Sequence, residues 1–225
     1  MTAQPDPPRS RRERPAKSAL TRHGIVSAAV AILRAEGLEK VTMRRLAQEL
    51  DTGPASLYVY VRNTAELHAA VLDELLGTVG PASAGGDWRE RLERVLTAYT
   101  TMLFEHPTLA RSALTARPSG PNYLNLIETL LALLAEGDVP PVQAALSVDL
   151  LLLHATATAA EHGAGKAPDE DWDALRRTLE GISERIHPHI AALDGVLLSG
   201  EGPEGRLSWG FRTLIAGIER TAVTD

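Results

Sequence analysis

The chain has no cysteine. Disulfides and thiolate metal sites are thereby excluded, which suits a reducing compartment such as the cytoplasm. Aromatics are scarce as well, two Phe, three Trp and four Tyr making up 4% of 225 residues. With β-branched residues also few and Ala and Leu dominant, the composition favours helices over sheets. No segment alternates in the manner of a strand, and no internal repeat is evident. The first nineteen residues lack the apolar run that a secretory signal needs. The most apolar stretch, Ala144–Ala160, contains Asp149 and His154 and falls short of the roughly 18–20 residues of a membrane span, so it reads as a buried helix and no membrane contact is expected. Catalytic signatures are missing too: there is no Ser/His/Asp arrangement and no glycine-rich phosphate loop. Asp149 and His154, five apart on one helix, project about 140° from each other and do not make an acid–base pair. His154 and His162 are eight apart, and His187 and His189 flank Pro188, whereas helical metal ligands favour i, i+4. Neither an enzyme nor a metal or other cofactor is expected.

What is present is a charge imbalance. The whole chain carries a net −6, yet residues 1–62 hold eleven Lys/Arg against six Asp/Glu, and residues 63–225 hold twelve against twenty-three. A basic head on an acidic body points to a polyanionic partner for the head alone. Residues 1–20 begin with "MTAQPDPPRSRRERPAKSA" and read as a flexible basic arm. Thr21 caps a predicted helix over Arg22–Glu36, with Ile25, Ala29, Ile32 and Leu33 on one face and Gly37 as its left-handed stop. Thr42 caps a second helix to about Leu50, with Leu46, Ala47 and Leu50 inward. Asp51–Gly53 is a tight turn, Pro54 starts a very short third helix to about Tyr60, and Asn63 or Thr64 caps a fourth striped by Leu67, Val71 and Leu75. A Gly/Ala/Ser-rich break at Gly77–Asp87 precedes longer helical patterns over Trp88–Glu105, Thr108–Leu114, Asn122–Glu136, Pro140–His162, Trp172–Ile186 and Arg206–Ala222.

Two short helices joined by a tight turn, behind a longer supporting helix, form the helix-turn-helix pattern. Thr42 at a helix start can offer its hydroxyl and nearby N–H groups to a phosphate. Arg44 can reach a guanine edge or a phosphate, and Arg45 suits a backbone contact. Pro54, Ala55 and Ser56 are small enough to let the third helix sink close to base edges. Tyr58 and Tyr60 add flat bodies with phosphate-bonding hydroxyls, while Leu57 and Val61 are the inward anchors.

The segment "TRHGIVSAAVAILRAEGLEKVTMRRLAQELDTGPASLYVYVRNTAEL" (Thr21–Leu67) resembles the TetR family of bacterial transcriptional repressors, and within it the branch of the tetracycline repressor. "ARPSGPNY" (Ala116–Tyr123) and "LSWGFRTLIAGIER" (Leu207–Arg220) are fainter echoes. The resemblance implies an all-α protein: a three-helix helix-turn-helix domain over residues 21–67 and a helical ligand-binding and dimerisation domain over 68–225. It implies a cytoplasmic homodimer on a palindromic double-stranded DNA operator, released by a small-molecule inducer. Where the family has a phosphate-binding lysine at the start of the fourth helix, this chain has Thr64, with Arg62 placed to compensate. Asp51 and Thr52 replace the family's Gly-Val turn.

The resemblance also places Arg117 as a pocket arginine and Tyr99 as a pocket aromatic. Leu126, Thr129 and His154 are candidate lining residues by helix placement. The position of the family's drug-chelating histidine is Ala113, which argues against tetracycline as the inducer. Ala144–Ala160 is apolar almost all round and needs cover from other helices; together with the Phe211/Leu214/Ile218 helix it is expected to build a bundle interface between two subunits, the alternative being that both helices belong only to one subunit's core. A DNA-binding regulator without a small ligand, controlled by a protein partner, is the alternative reading.

Overall fold

The computed structural model describes residues 19–80, 85–114, 118–164, 174, 177–193 and 203–223. Among these every regular element is helical. The helices are α1 (Arg22–Glu36), α2 (Met43–Glu49), α3 (Pro54–Leu57), α4 (Thr64–Leu76), α5 (Trp88–Phe104), α6 (Pro107–Ala113), α7 (Pro121–Glu136), α8 (Pro141–Ala164), α9 (Pro188–Ala191) and α10 (Pro203–Arg220), with a 3₁₀ turn at Leu38–Lys40.

Local chemistry sets most of the starts. The hydroxyls of Thr21 and Thr42 accept from the N–H of Gly24 (3.0 Å) and Arg45 (3.2 Å), and Asn63 Oδ1 accepts from Glu66 N–H at 2.8 Å. Each bond satisfies one of the donors a first helical turn leaves open. Pro54, Pro107, Pro121 and Pro188 stand in the first turn of their helices, where a missing N–H costs nothing. Gly37 ends α1 with φ 89° but ψ 166°, so it turns the chain into the 3₁₀ segment rather than closing a left-handed cap.

Some boundaries differ from expectation. The third helix ends at Leu57, and Tyr58–Tyr60 follow as turn. The stretch expected to be helical over Trp172–Ile186 lies partly outside the described residues, and the helix seen at 177–180 gives way to turn at Gly181. The apolar helix is longer than its apolar core implied. α8 runs 24 residues, and by length and composition alone Pro141–Glu161 is long and apolar enough to cross a membrane. It instead packs against α5, α6, α7 and α10.

Two packing units meet at α4. On one side α4 packs on α1, closing a core with Ile25, Ala29, Leu46, Leu57, Val61, Leu67 and Val71. On the other it packs on α6 and α7. Behind it α5, α7, α8 and α10 enclose Leu92, Leu96, Leu103, Leu130, Leu134, Leu151 and Phe211. Phe211 and Ile218, expected on a subunit interface, are instead 0% and 6% exposed inside the protomer's own core. The faces left uncovered are Val142, Leu146, Leu150 and Leu153 on α8 and Trp209 on α10.

Candidate nucleic-acid interface and ligand cavity

α2, the Asp51–Gly53 turn and α3 form the first site. Asp51 takes φ 47°, the left-handed conformation a tight turn demands and one that Asp tolerates. Leu57 and Val61, at 0% and 1% exposed, pin the short helix to the core. That anchoring leaves Pro54, Ala55 and Ser56 exposed together on the outer face, with Arg44 exposed on α2. Tyr58 is 51% exposed and Tyr60 half-buried. Val59, at 79% exposed, faces solvent and was not picked out by sequence reasoning. The signal was available: anchors at i and i+4 leave the residue midway between them facing outward.

The cations behave differently from one another. Arg45 bonds Glu36 at 2.6 Å and Glu49 at 2.9 Å; both pairings raise its pKa, and its hydrogen bond to Glu36 lowers that of Glu36. It braces α2 against the end of α1, and its donors are occupied rather than turned to a phosphate. Arg62 bonds Glu66 through Nε at 3.0 Å, and Arg22 reaches the same carboxylate at 3.6 Å. Glu66 also accepts the Arg62 backbone N–H at 2.9 Å, and these contacts hold its pKa low. Thr42 is half-buried with its hydroxyl engaged as the cap, and Thr64 is exposed at the start of α4.

The second site is a cavity of about 350 Å³ between α5, α6, α7 and α8. That lies at the lower end of the range that holds drug-sized ligands. Tyr123, Ile127 and Leu131 line it from α7, and Val148, Leu152 and Thr156 from α8. Ala113, Leu114 and Pro118 close one end, and Ala145, Asp149 and Leu153 stand at the side open to solvent. Tyr99 of α5 is 3% exposed, and its hydroxyl pairs with Thr156 Oγ1 at 2.8 Å. Burial pushes the Tyr99 phenol up to about 12, so it stays a neutral donor. The wall is mostly apolar, with phenols, a threonine and one carboxylate as its polar groups.

Of the sequence-derived lining residues, Tyr99 stands on this wall. Arg117 lies outside the described residues. Leu126 is buried in the core, one residue from the cavity-facing row 123, 127, 131. Thr129 is half-buried, bonds the Asn125 carbonyl at 2.7 Å, and is not on the wall. His154 points to the opposite side of α8, edge-on to Phe211 of α10. The helix assignments were right for these residues, but their rotational setting was not read. Asp149, thought buried, is exposed at the cavity mouth.

A buried carboxylate connects the two sites. Asp73 of α4, 8% exposed, accepts from the backbone N–H of Tyr123 at 2.9 Å. It also accepts from the N–H and side-chain amide of Asn122, both at 3.4 Å. α7 has no side-chain cap of its own; its N-cap is Gly120, where a Cβ would lie 2.1 Å from the Asp73 carboxyl carbon. Only glycine admits this approach, so α4 supplies the missing cap.

Comparison with known proteins decides the family. Residues 25–71 match the model for bacterial regulatory proteins of the tetR family, and residues 80–222 match the tetracyclin repressor-like C-terminal domain. The chain belongs to the TetR family. This TetR-family chain is 33% identical to the transcriptional repressor DrrR1 of Streptomyces coeruleorubidus over 83% of its own length and 68% of the relative's. A Streptomyces protein described as a transcription regulator, SCO7704, has 57% identity and a TM-score of 0.79 over 93% of this chain and 99% of its own. ActR of Streptomyces coelicolor, solved in complex with actinorhodin, has 34% identity and a TM-score of 0.79 over 90% of this chain and 96% of its own. The TetR-family chain is thus a transcriptional regulator, not an enzyme, with a helix-turn-helix DNA-binding domain and a C-terminal ligand-binding domain.

Proposed function

We propose that this protein is a homodimeric repressor, acting in the cytoplasm, that holds a palindromic operator and releases it when a flat, largely apolar aromatic molecule enters the cavity. The observation that carries this reading is the Asp73 cap. It joins the helix that bears the reading head to the helix that bears the cavity residue Tyr123. A ligand pressed against Tyr123 displaces the start of α7, and α4 moves with it through three hydrogen bonds. In a dimer that movement alters the separation of two heads that must fit half-sites one helical turn apart. The base-facing surface is Pro54–Ser56 with Tyr58, Val59 and Tyr60, while Thr42, Arg44, Arg62 and Thr64 lie along the backbone.

The ligand class follows from the wall. Tyr123, Ile127, Leu131, Val148 and Leu152 offer flat apolar contact, and the Tyr99–Thr156 pair offers an exchangeable hydrogen bond to a hydroxyl or quinone oxygen. ActR, similar over most of both chains, was solved in complex with a small molecule, actinorhodin. The dimer face is the uncovered Val142, Leu146, Leu150 and Leu153 row with Trp209, at 45–67% exposed. An apolar row of this length on a soluble helix calls for a partner, and two-fold operator reading calls for a second copy.

The test starts from duplexes selected by the protein out of random DNA. A panel of hydroxyquinones and other fused aromatics, together with actinorhodin, is then screened for a saturable rise in melting temperature. A compound that raises it and also dissociates the selected duplex is the expected result. A panel that binds without releasing DNA overturns the coupling, and selection of no sequence above background overturns the repressor reading.

A further inference from the structure

Between Pro141 and Ala160, α8 carries a single carboxylate, Asp149, and no Lys or Arg. Ala145, Val148, Leu152 and Thr156 form the helical stripe that lines the cavity. Val142, Leu146, Leu150 and Leu153 form the exposed row beside it. Asp149 stands on the border between the two, exposed to solvent and still part of the cavity wall. It is the only charged side chain among the described lining residues.

The cavity thus has two polar stations of different kinds. One is the buried hydroxyl pair of Tyr99 and Thr156. The other is the Asp149 carboxylate at the mouth. Thr156 and Asp149 are seven residues apart on one helix, which places them about 10 Å apart along its axis. Much of the remaining wall is apolar, with Ile127 and Leu131 of α7 facing Val148 and Leu152 of α8. A charge with water on one side and a low-dielectric wall on the other projects its field into the cavity. A cationic group arriving beside Asp149 gains a charge-assisted hydrogen bond, whereas an anionic one is repelled. A neutral group gains little either way.

We propose that the inducer carries a protonated amine, held by Asp149 at the cavity mouth about 10 Å from a hydroxyl or carbonyl oxygen held by Tyr99 and Thr156. This deepens the aromatic-inducer reading above and rests on it. Two fixed polar points orient the ligand, oxygen inward and amine toward solvent. Asp149 then selects among flat molecules that the apolar wall accepts alike.

Three matched probes test this. The first is a hydroxyanthraquinone with an aminomethyl group on the ring remote from its hydroxyl. The others carry a hydroxymethyl group or a carboxylate in place of the aminomethyl group. Each is titrated by calorimetry onto the full-length protein and onto its Asp149→Asn and Asp149→Lys variants, at low and high salt. The unaltered protein should bind the amine about 10-fold more tightly than the hydroxymethyl compound, and the carboxylate least tightly. Raised salt should narrow that gap, because the carboxylate faces water. Asp149→Asn should bind the amine and the hydroxymethyl compound alike, and Asp149→Lys should prefer the carboxylate. Equal binding of amine and hydroxymethyl compound by the unaltered protein overturns the proposal and leaves the aromatic-inducer reading intact, Asp149 then serving only to solvate α8. A preference for the amine that survives in Asp149→Asn overturns it as well. If none of the three probes binds, the aromatic-inducer reading itself falls and takes the proposal with it.

Discussion

Single residues decide how strongly the head holds DNA and how the body responds to pH. Thr64→Lys places a cation at an exposed site at the start of α4. Binding should tighten on every sequence alike, with the salt slope steepening by about 0.9 per head; fluorescence anisotropy at several salt concentrations reads both. A change of sequence preference instead would place Thr64 on the bases. His154 is a different case. Its Nε2 is sealed from solvent without a partner, and only the absence of a side chain on Gly210 makes room, since a Cβ there would lie 2.7 Å from that nitrogen. Burial lowers its pKa. A histidine held below its unfolded value adds stability above about pH 6.5 and loses it as pH falls through the folded value. His154→Leu should therefore lose less melting temperature than the parent between pH 7.5 and 5.5. His106, also lowered by burial, leaves a residual dependence in the variant. Much at this scale was legible beforehand: Leu57 and Val61 as anchors, Pro54–Ser56 as the outer tip. The commitment of Arg45 to Glu36 was not, because the two are nine residues apart across a turn and their pairing depends on how α2 crosses α1.

At the level of elements, helix starts were read well because their causes are local. Thr21, Thr42, Pro54 and Asn63 act on their own first turns. The cap of α7 was invisible for the opposite reason, since its acceptor, Asp73, stands 50 residues before Tyr123. The rotational setting of α7 and α8 was hidden too. Both are apolar on more than one face, so periodicity alone does not say which face meets the cavity and which the core. Removing the long-range cap is the direct probe. Asp73→Ala removes the acceptor of the half-buried N–H groups of Asn122 and Tyr123 and should cost about 1–3 kcal/mol in chemical denaturation. More tellingly, the variant should keep its ligand affinity by calorimetry while losing most of the ligand's effect on DNA binding. Asp73→Asn, which keeps an acceptor, should fall between. Full retention of release in the alanine variant would rule out this connection.

For the whole molecule, the uncovered row on α8 is the proposed dimer face. Leu146, 58% exposed, lies within that row. Leu146→Glu brings carboxylates together in a desolvated interface, and burying unpaired charge is strongly unfavourable. The variant should sediment as a monomer at micromolar concentration, with its helical content preserved and its operator affinity reduced toward that of a single head. A variant still dimeric would move the interface elsewhere. Leu153 adds something further. It is 52% exposed within the same row, and it also stands at the mouth of the cavity. In the proposed dimer one side chain would serve two equilibria, assembly and ligand entry, and neither could shift without biasing the other. The dose of inducer that half-empties an operator would then depend on how many copies of the repressor a cell contains, so the circuit's threshold would be set by expression level as well as by affinity.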